Sequence, residues 1–262
     1  GVLDLDAFET LARQHHAQLA LVTIMHANNE VGAIQPLGDV ARILTRIAEE
    51  TNQPRVPFHI DAAQSIGKIP VDVDALGADL LSICSHKFYG PKGIGALYRR
   101  STELELDCQT FGAGQEAGQR PGTENLILIR GMAAALSSAA RNLAANAANY
   151  RACRDHLLDE LRRLGSKRGF DIRVNGSLDH ALPNTLNVAI YHKPNGMYIS
   201  GHRMIQTLGS RVAMSAGAAC HAVNGVETVK SVSPSLRLVG VDEDRAKGTL
   251  RLSTGHLVDK AA

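Results

Sequence analysis

Three short apolar runs in the first hundred residues each stop abruptly on polar side chains. Leu19–His26 leads into Asn28-Asn29-Glu30, Phe58–Asp61 into Ala62-Ala63-Gln64, and Asp79–Ser85 into His86-Lys87. Helical spacing fills much of the intervening chain: Asp4–Gln18 before the first run, and a stretch opened by Pro36 and running to Glu50 before the second. A fourth run, Ile94–Arg99, follows the turn Tyr89-Gly90-Pro91-Lys92-Gly93. Strand–helix–strand order with nearly continuous apolar strands predicts an α/β fold built on a mainly parallel sheet covered on both faces. In such sheets ligands bind beyond the carboxyl ends of the strands, where all three polar clusters fall.

Downstream, Glu124–Leu164 is rich in alanine and leucine at helical spacing and holds no proline. It is too long for one helix of a compact domain, and a break is expected near Asn146–Asn149. Beyond it, strands near Asp171–Val174, Thr185–Ile190 and Leu250–Ser253 predict a smaller α+β unit. The expected division is a large-domain part over 1–135 and a connecting helix with a small C-terminal domain over 136–262.

The 262 residues carry a net charge of +2 with their basic residues scattered, which gives no support to a nucleic-acid or membrane-surface partner. No apolar run approaches the roughly 18 residues that would span a bilayer. The eleven histidines form neither HxxxH nor HExxH, and Cys84, Cys108, Cys153 and Cys220 show no zinc spacing, so no metal is expected. Cysteines of this kind fit a reducing compartment. The expected location is the cytoplasm, with a mitochondrial location as the alternative.

Taken singly, each polar cluster has a plain structural reading. Lys87 reads as a strand-end cap reaching solvent, and Asp61 as a helix N-cap for Ala62-Ala63-Gln64. The Gly90–Gly95 turn is not a Walker A loop, because no Ser or Thr follows Lys92 and the glycine spacing is wrong. Together, on successive strand ends, the clusters are better explained by one shared site. An amine and a carboxylate placed in this way suit pyridoxal phosphate (PLP) chemistry. The amine forms a Schiff base with the aldehyde, and the carboxylate keeps the pyridine nitrogen protonated.

The chain resembles the cysteine desulfurase and selenocysteine lyase group of class-V, fold-type-I PLP enzymes. The resemblance rests on MHANNEVGAIQP (Met25–Pro36), HIDAAQSIGK (His59–Lys68), SHKFYGPKGIGALY (Ser85–Tyr98), RPGTEN (Arg120–Asn125), LPNTLNV (Leu182–Val188), SAGAACH (Ser215–His221) and LRLSTG (Leu250–Gly255). Within the group, GAACH, RPGTEN and the Gln53–Pro57 segment resemble selenocysteine lyase most.

The resemblance implies that Lys87 carries the cofactor and later moves the substrate α-proton, while Asp61 pairs with the pyridinium. Asn29 and Gln64 would face the ring's phenolic oxygen, with Asn29 also meeting the substrate carboxylate. His86 and Ser85 would serve the phosphate, and Thr123 would reach the phosphate of a partner subunit, making the site a homodimer property. Arg251 would clamp the substrate carboxylate, a bidentate task suited to guanidinium. Cys220, on a loop of small residues and beside His221, would receive sulfur or assist selenium. Cys84, Cys108 and Cys153 read as structural.

Three departures stand out. Cys84 occupies a position where many desulfurases have a serine, and His256 one where an arginine is common. The family's N-terminal portion, with its ring-stacking histidine and Gly/Thr phosphate turn, does not precede Gly1, so the chain is expected to be a fragment. The implied activity is removal of selenium from L-selenocysteine, or sulfur from L-cysteine, to leave L-alanine, with an acceptor protein for the product. The alternatives are a desulfurase dedicated to sulfur transfer and a catalytically incomplete scaffold or dimer partner. An aminotransferase of the same fold would leave Cys220 without a task.

Overall fold

The computed structural model describes residues 1–216 and 233–259 and divides the chain into two compact units. One unit comprises Asp4–His26 and Pro36–Leu143. The other comprises Gly1–Leu3, Ala27–Gln35 and the chain from Ala144 onward.

In the first unit, β1 (Val22–Met25), β2 (Phe58–Asp61), β3 (Leu80–Cys84) and β4 (Gly95–Arg99) lie side by side in that order. The first three are parallel and β4 returns antiparallel. The register pairs Met25 with Asp61 and Asp61 with Ser82, so the strand ends that carry the polar clusters are aligned. In β2 burial alternates along the strand. Phe58 and Ile60 are fully buried, whereas His59 and Asp61 are half-buried on the opposite face.

Helix α1 (Leu5–His15) starts on Asp4, whose carboxylate accepts from the Ala7 amide at 3.0 Å. Helix α2 (Leu37–Thr51) buries Leu37, Val40, Leu44 and Ile47, which recur at helical spacing. It ends on Asn52 in the left-handed conformation. The outer faces of α1 and α2 are joined by ion pairs of Arg13 with Glu50 and of Arg46 with Glu9, and Arg13 also pairs with Glu9 within α1. Asp79, just before β3, accepts from the Phe58 amide at 2.8 Å and pairs with Arg55, which ties the start of β2 to the start of β3.

The long alanine-rich stretch is two helices, α3 (Leu126–Arg141) and α4 (Leu143–Ser166), broken at Asn142 rather than at Asn146–Asn149. Asn142 leaves helical geometry, and both its backbone amide and its side-chain amide donate to the Ser138 carbonyl. Asn149 lies within α4, and its side-chain amide donates to the Val258 carbonyl at 2.8 Å.

The second unit is built on an antiparallel sheet. Strand β6 (Thr185–His192) pairs with β5 (Phe170–Val174), with β7 (Met197–Tyr198) and with β8 (Thr249–Ser253). Leu158, Ile172, Leu186 and Val188 form one core cluster. A second joins Val31 and Ala33 to Leu236 and Val241. The latter two belong to α6 (Pro234–Leu238) and the turn after it, which precedes α7 (Glu243–Lys247). Helix α5 (Gly201–Leu208) is capped by the Ser200 hydroxyl. Among the described residues no helix is long and apolar enough to cross a membrane, and no His/Cys/Asp/Glu group could hold a metal ion.

Candidate active site

In the unit bearing the parallel sheet, β3 runs directly into a single 3-10 turn, Ser85–Phe88. The turn closes on Tyr89 in the left-handed conformation, with the Gly90 amide donating back to the Ser85 carbonyl at 3.0 Å. A Cβ on Gly90 would lie 2.1 Å from the Ser85 hydroxyl and 3.2 Å from the Ser85 carbonyl oxygen, so a side chain there would force Ser85 to shift. The turn buries Ser85 and Phe88 and turns His86 and Lys87 outward. Among the described residues, the Lys87 amine makes no hydrogen bond or ion pair.

On the neighbouring strand, Asp61 uses one carboxylate oxygen to accept from the Ala63 amide at 2.8 Å. No helix follows Asp61, so this bond closes a turn over Ala62 and Ala63 instead of capping a helix as the sequence suggested, and it leaves the half-buried carboxylate able to meet a second partner. On the same face a ladder of polar side chains crosses three strands. His59 Nδ1 lies 2.7 Å from the Thr23 hydroxyl, and His59 Nε2 lies 3.2 Å from the Ser82 hydroxyl. Burial lowers the His59 pKa, and the Asp61 carboxylate works against that shift. His59 is thus a neutral ring held from both sides beside Asp61.

Lys68 lies in the turn that follows β2. Its ammonium donates to the Gln64 carbonyl at 2.8 Å and to the Lys87 carbonyl at 3.2 Å, so the turn after Asp61 and the turn holding Lys87 are adjacent. Gly67, with a φ of 73°, presses the same two segments together, since a Cβ there would meet those of Phe88 and Ala139 at 3.2 Å. Burial lowers the Lys68 pKa to about 8, and the nearby charge of Lys87 adds to the effect.

The other unit brings Asn29 and Arg251 together. Arg251, on β8, pairs in register with Asn187 on β6 and donates through Nη1 to the Asn29 carbonyl at 2.7 Å. Asn187 donates to the Glu30 carbonyl at 3.1 Å, so adjacent strands grip consecutive residues of one turn. Asn28 shapes that turn by accepting from the amides of Glu30 and Val31. The buried Glu30 carboxylate accepts from the Ser233 hydroxyl at 2.6 Å. The main chain of Arg251 also exchanges hydrogen bonds with Ser215, at 2.6 and 3.1 Å.

Of the residues singled out in the sequence, Asp61, Gln64, His86 and Lys87 share one face or adjoining turns, and Asn29 and Arg251 touch. Ser85 is fully buried beneath its own turn, its hydroxyl without a partner. Thr123 is exposed in an irregular stretch before α3. Cys220 and His221 lie outside the described residues. Cys84 and Cys108 are half-buried free thiols, and Cys153 is a buried one. Lys68 and the Thr23–His59–Ser82 ladder received no role from the sequence. Lys68 stands four residues after Gln64, which reads as one turn of a solvated face, and the ladder emerges only once strand register is known.

The residues present fit PLP. A lysine amine without a hydrogen bond or ion pair among the described residues is exposed on a turn, and a carboxylate with spare capacity stands on the adjacent strand end.

A family model described as aminotransferase class-V matches residues 1–261. The chain is 41% identical over 240 residues to a cysteine desulfurase IscS of Anaeromyxobacter dehalogenans, covering 90% of this chain and 53% of that protein. It is 36% identical over 259 residues to the IscS of Photobacterium profundum, covering 98% and 57%. Among solved structures, a NifS-like protein superposes with a TM-score of 0.80 at 33% identity, over 99% of this chain and 61% of the other. A structure of SspA in complex with cysteine gives 0.68 at 30%, over 97% and 63%. The chain spans little more than half the length of the curated relatives it matches. These relatives carry the sulfur name rather than the selenium one, which favours the sulfur alternative of the sequence reading. With its matched length, its sheet and its strand-end lysine in agreement, the chain belongs to the class-V aminotransferase family, whose enzymes depend on pyridoxal phosphate.

Proposed function

We propose that this chain carries the cofactor lysine and substrate arginine of a cysteine desulfurase, which removes sulfur from L-cysteine and leaves L-alanine. The observation that carries the reading is Lys87. Its amine is exposed and unpaired among the described residues, on a turn locked by Gly90, beside the strand that ends in Asp61. The relatives named as cysteine desulfurases and the SspA structure in complex with cysteine support the substrate class.

Bound pyridoxal phosphate would supply an electron sink for the bonds at the substrate α-carbon. Every other task falls to side chains. Asp61 holds a proton on the ring nitrogen by charge pairing, and Gln64 and Asn29 donate to the ring oxygen. His86 and Thr123 take the phosphate, with Thr123 acting towards a partner subunit in a homodimer. Ser85 contributes only if its turn opens, since its hydroxyl is sealed below Gly90. Arg251 already has one guanidinium nitrogen on the Asn29 carbonyl, which fixes its plane for a carboxylate. Lys87 takes the α-proton and returns it. Cys220 receives the sulfur as a persulfide and passes it to an acceptor protein. Free thiols at Cys84, Cys108 and Cys153 are consistent with work in the reducing cytoplasm.

The test is addition of pyridoxal phosphate to the chain, followed by absorbance near the visible edge and by alanine release from L-cysteine. Wild type should develop the band and Lys87→Ala should not. Absence of cofactor attachment at Lys87 in the wild type would overturn the reading.

A further inference from the structure

We propose that Lys68 is a positioning residue for Lys87: its ammonium clamps the turn after Asp61 to the turn bearing Lys87 and so fixes the direction in which the Lys87 amine points. The inference rests on the function proposed above, because it concerns the same amine.

The geometry is specific. One ammonium reaches two main-chain carbonyls, those of Gln64 at 2.8 Å and Lys87 at 3.2 Å. The contacts are to backbone, so they act on the path of the chain and leave the Lys87 side chain free. Gly67, the residue before Lys68, reinforces the arrangement by a close approach to Phe88, the residue after Lys87. The two turns therefore meet at adjacent positions, once through packing and once through charge. A single 3-10 turn has few hydrogen bonds of its own, and hydrogen bonds from a charged donor are about twice as strong as neutral ones.

The charge state of the clamp is unusual for a lysine. Burial, with the Lys87 charge adding to it, brings the Lys68 pKa down to about 8. The titratable groups facing it are Lys87 and no carboxylate: among the described residues Lys68 has no ion pair. Near and above that pH the ammonium becomes an amine, a weaker donor, and the grip on the two carbonyls loosens. A surface lysine kept for solubility would show no such dependence.

The experiment uses the whole chain and pyridoxal phosphate as the probe. Attachment at Lys87 is trapped with borohydride and read by peptide mass mapping across roughly pH 6–10. In wild type the rate should show an inflection near pH 8. Lys68→Met should slow attachment by about tenfold and remove that inflection. Lys68→Arg should restore most of the rate without the inflection, since guanidinium stays charged throughout. A Lys68→Met rate and pH profile equal to wild type would sink the inference, as would an inflection that survives in Lys68→Arg. Should Lys68→Met fail to fold, Lys68→Arg decides by the same profile.

If the wild-type chain does not attach the cofactor at Lys87, the proposed function fails. The clamp is then judged without cofactor, by amide hydrogen exchange in the turn 85–90. Faster exchange there in Lys68→Met, restored by Lys68→Arg and with α2 unaffected, supports it. Equal exchange overturns it.

Discussion

Burial moves two side chains of the parallel-sheet unit in ways that stability measurements can read. Lys68 has a pKa of about 8 in the fold against an ordinary 10.5. Between those values the unfolded chain holds a proton that the folded chain has released, so stability rises as pH climbs from about 8 to 10.5. The full shift converts to about 3 kcal/mol. Partial exposure and solvent screening reduce the expected gain to about 1–2 kcal/mol. Urea unfolding at the two ends of that window should show the rise in wild type and a flat response in Lys68→Met.

His26 works in the same sense in a lower pH window. Burial lowers its pKa to about 4 from 6.5, so the folded state keeps the ring neutral while the unfolded chain takes up a proton. Stability is therefore present above pH 6.5 and is lost as pH falls towards 4, by up to about 3 kcal/mol. His26→Gln should flatten that acid limb in the same urea titration.

At the level of elements, packing between α2 and the turn before β3 leaves no room for side chains. Gly77 has a φ of 63°, and a Cβ there would sit 2.4 Å from that of Ala41. Gly77→Ala combines backbone strain with overpacking and should destabilise the unit by about 2–3 kcal/mol in thermal or urea unfolding. Leu44, fully buried on α2, should lose about 2–5 kcal/mol as alanine.

These same elements show what the sequence could disclose. Strand β2 was legible to the residue, since Phe58–Asp61 is bounded by proline before it and by small residues after it. Strand β1 is shorter than its apolar run because the Leu19 amide closes a 3-10 turn on the His16 carbonyl. The break between α3 and α4 falls at Asn142, one of several asparagines in the stretch, where the side chain bonds back to Ser138, while Asn149 bonds to the distant Val258 carbonyl. Local sequence does not disclose which of these contacts forms. For the candidate site, residue types at strand ends were legible, whereas the buried aspect of Ser85, the Lys68 contacts and the His59 ladder depend on register and turn closure.

For the molecule as a whole, cofactor binding should appear as stability. A ligand that binds only the folded state adds about 2.7 kcal/mol at a hundredfold excess over its dissociation constant. Pyridoxal phosphate should raise the urea midpoint of the wild-type chain, and Lys87→Ala should lose most of that increase. An equal increase in both proteins would assign the binding to some group other than Lys87.

The short segment Ala27–Gln35 has a consequence for how this chain comes to be folded. It is flanked on both sides by residues of the parallel-sheet unit, yet Val31 and Ala33 belong to the core that contains Leu236 and Val241. Asn28 bonds to Ser235 across a sequence separation of 207 residues. During synthesis this segment leaves the ribosome long before its partners exist. The apolar side chains of Val31 and Ala33 must then wait while β1 and α2 form on either side of them. Closing so long a loop is slow, and the unfilled core is prone to aggregation meanwhile. The last step in maturing this protein is therefore expected to be capture of an early-made segment by a late-made one, which makes it a natural client for a chaperone.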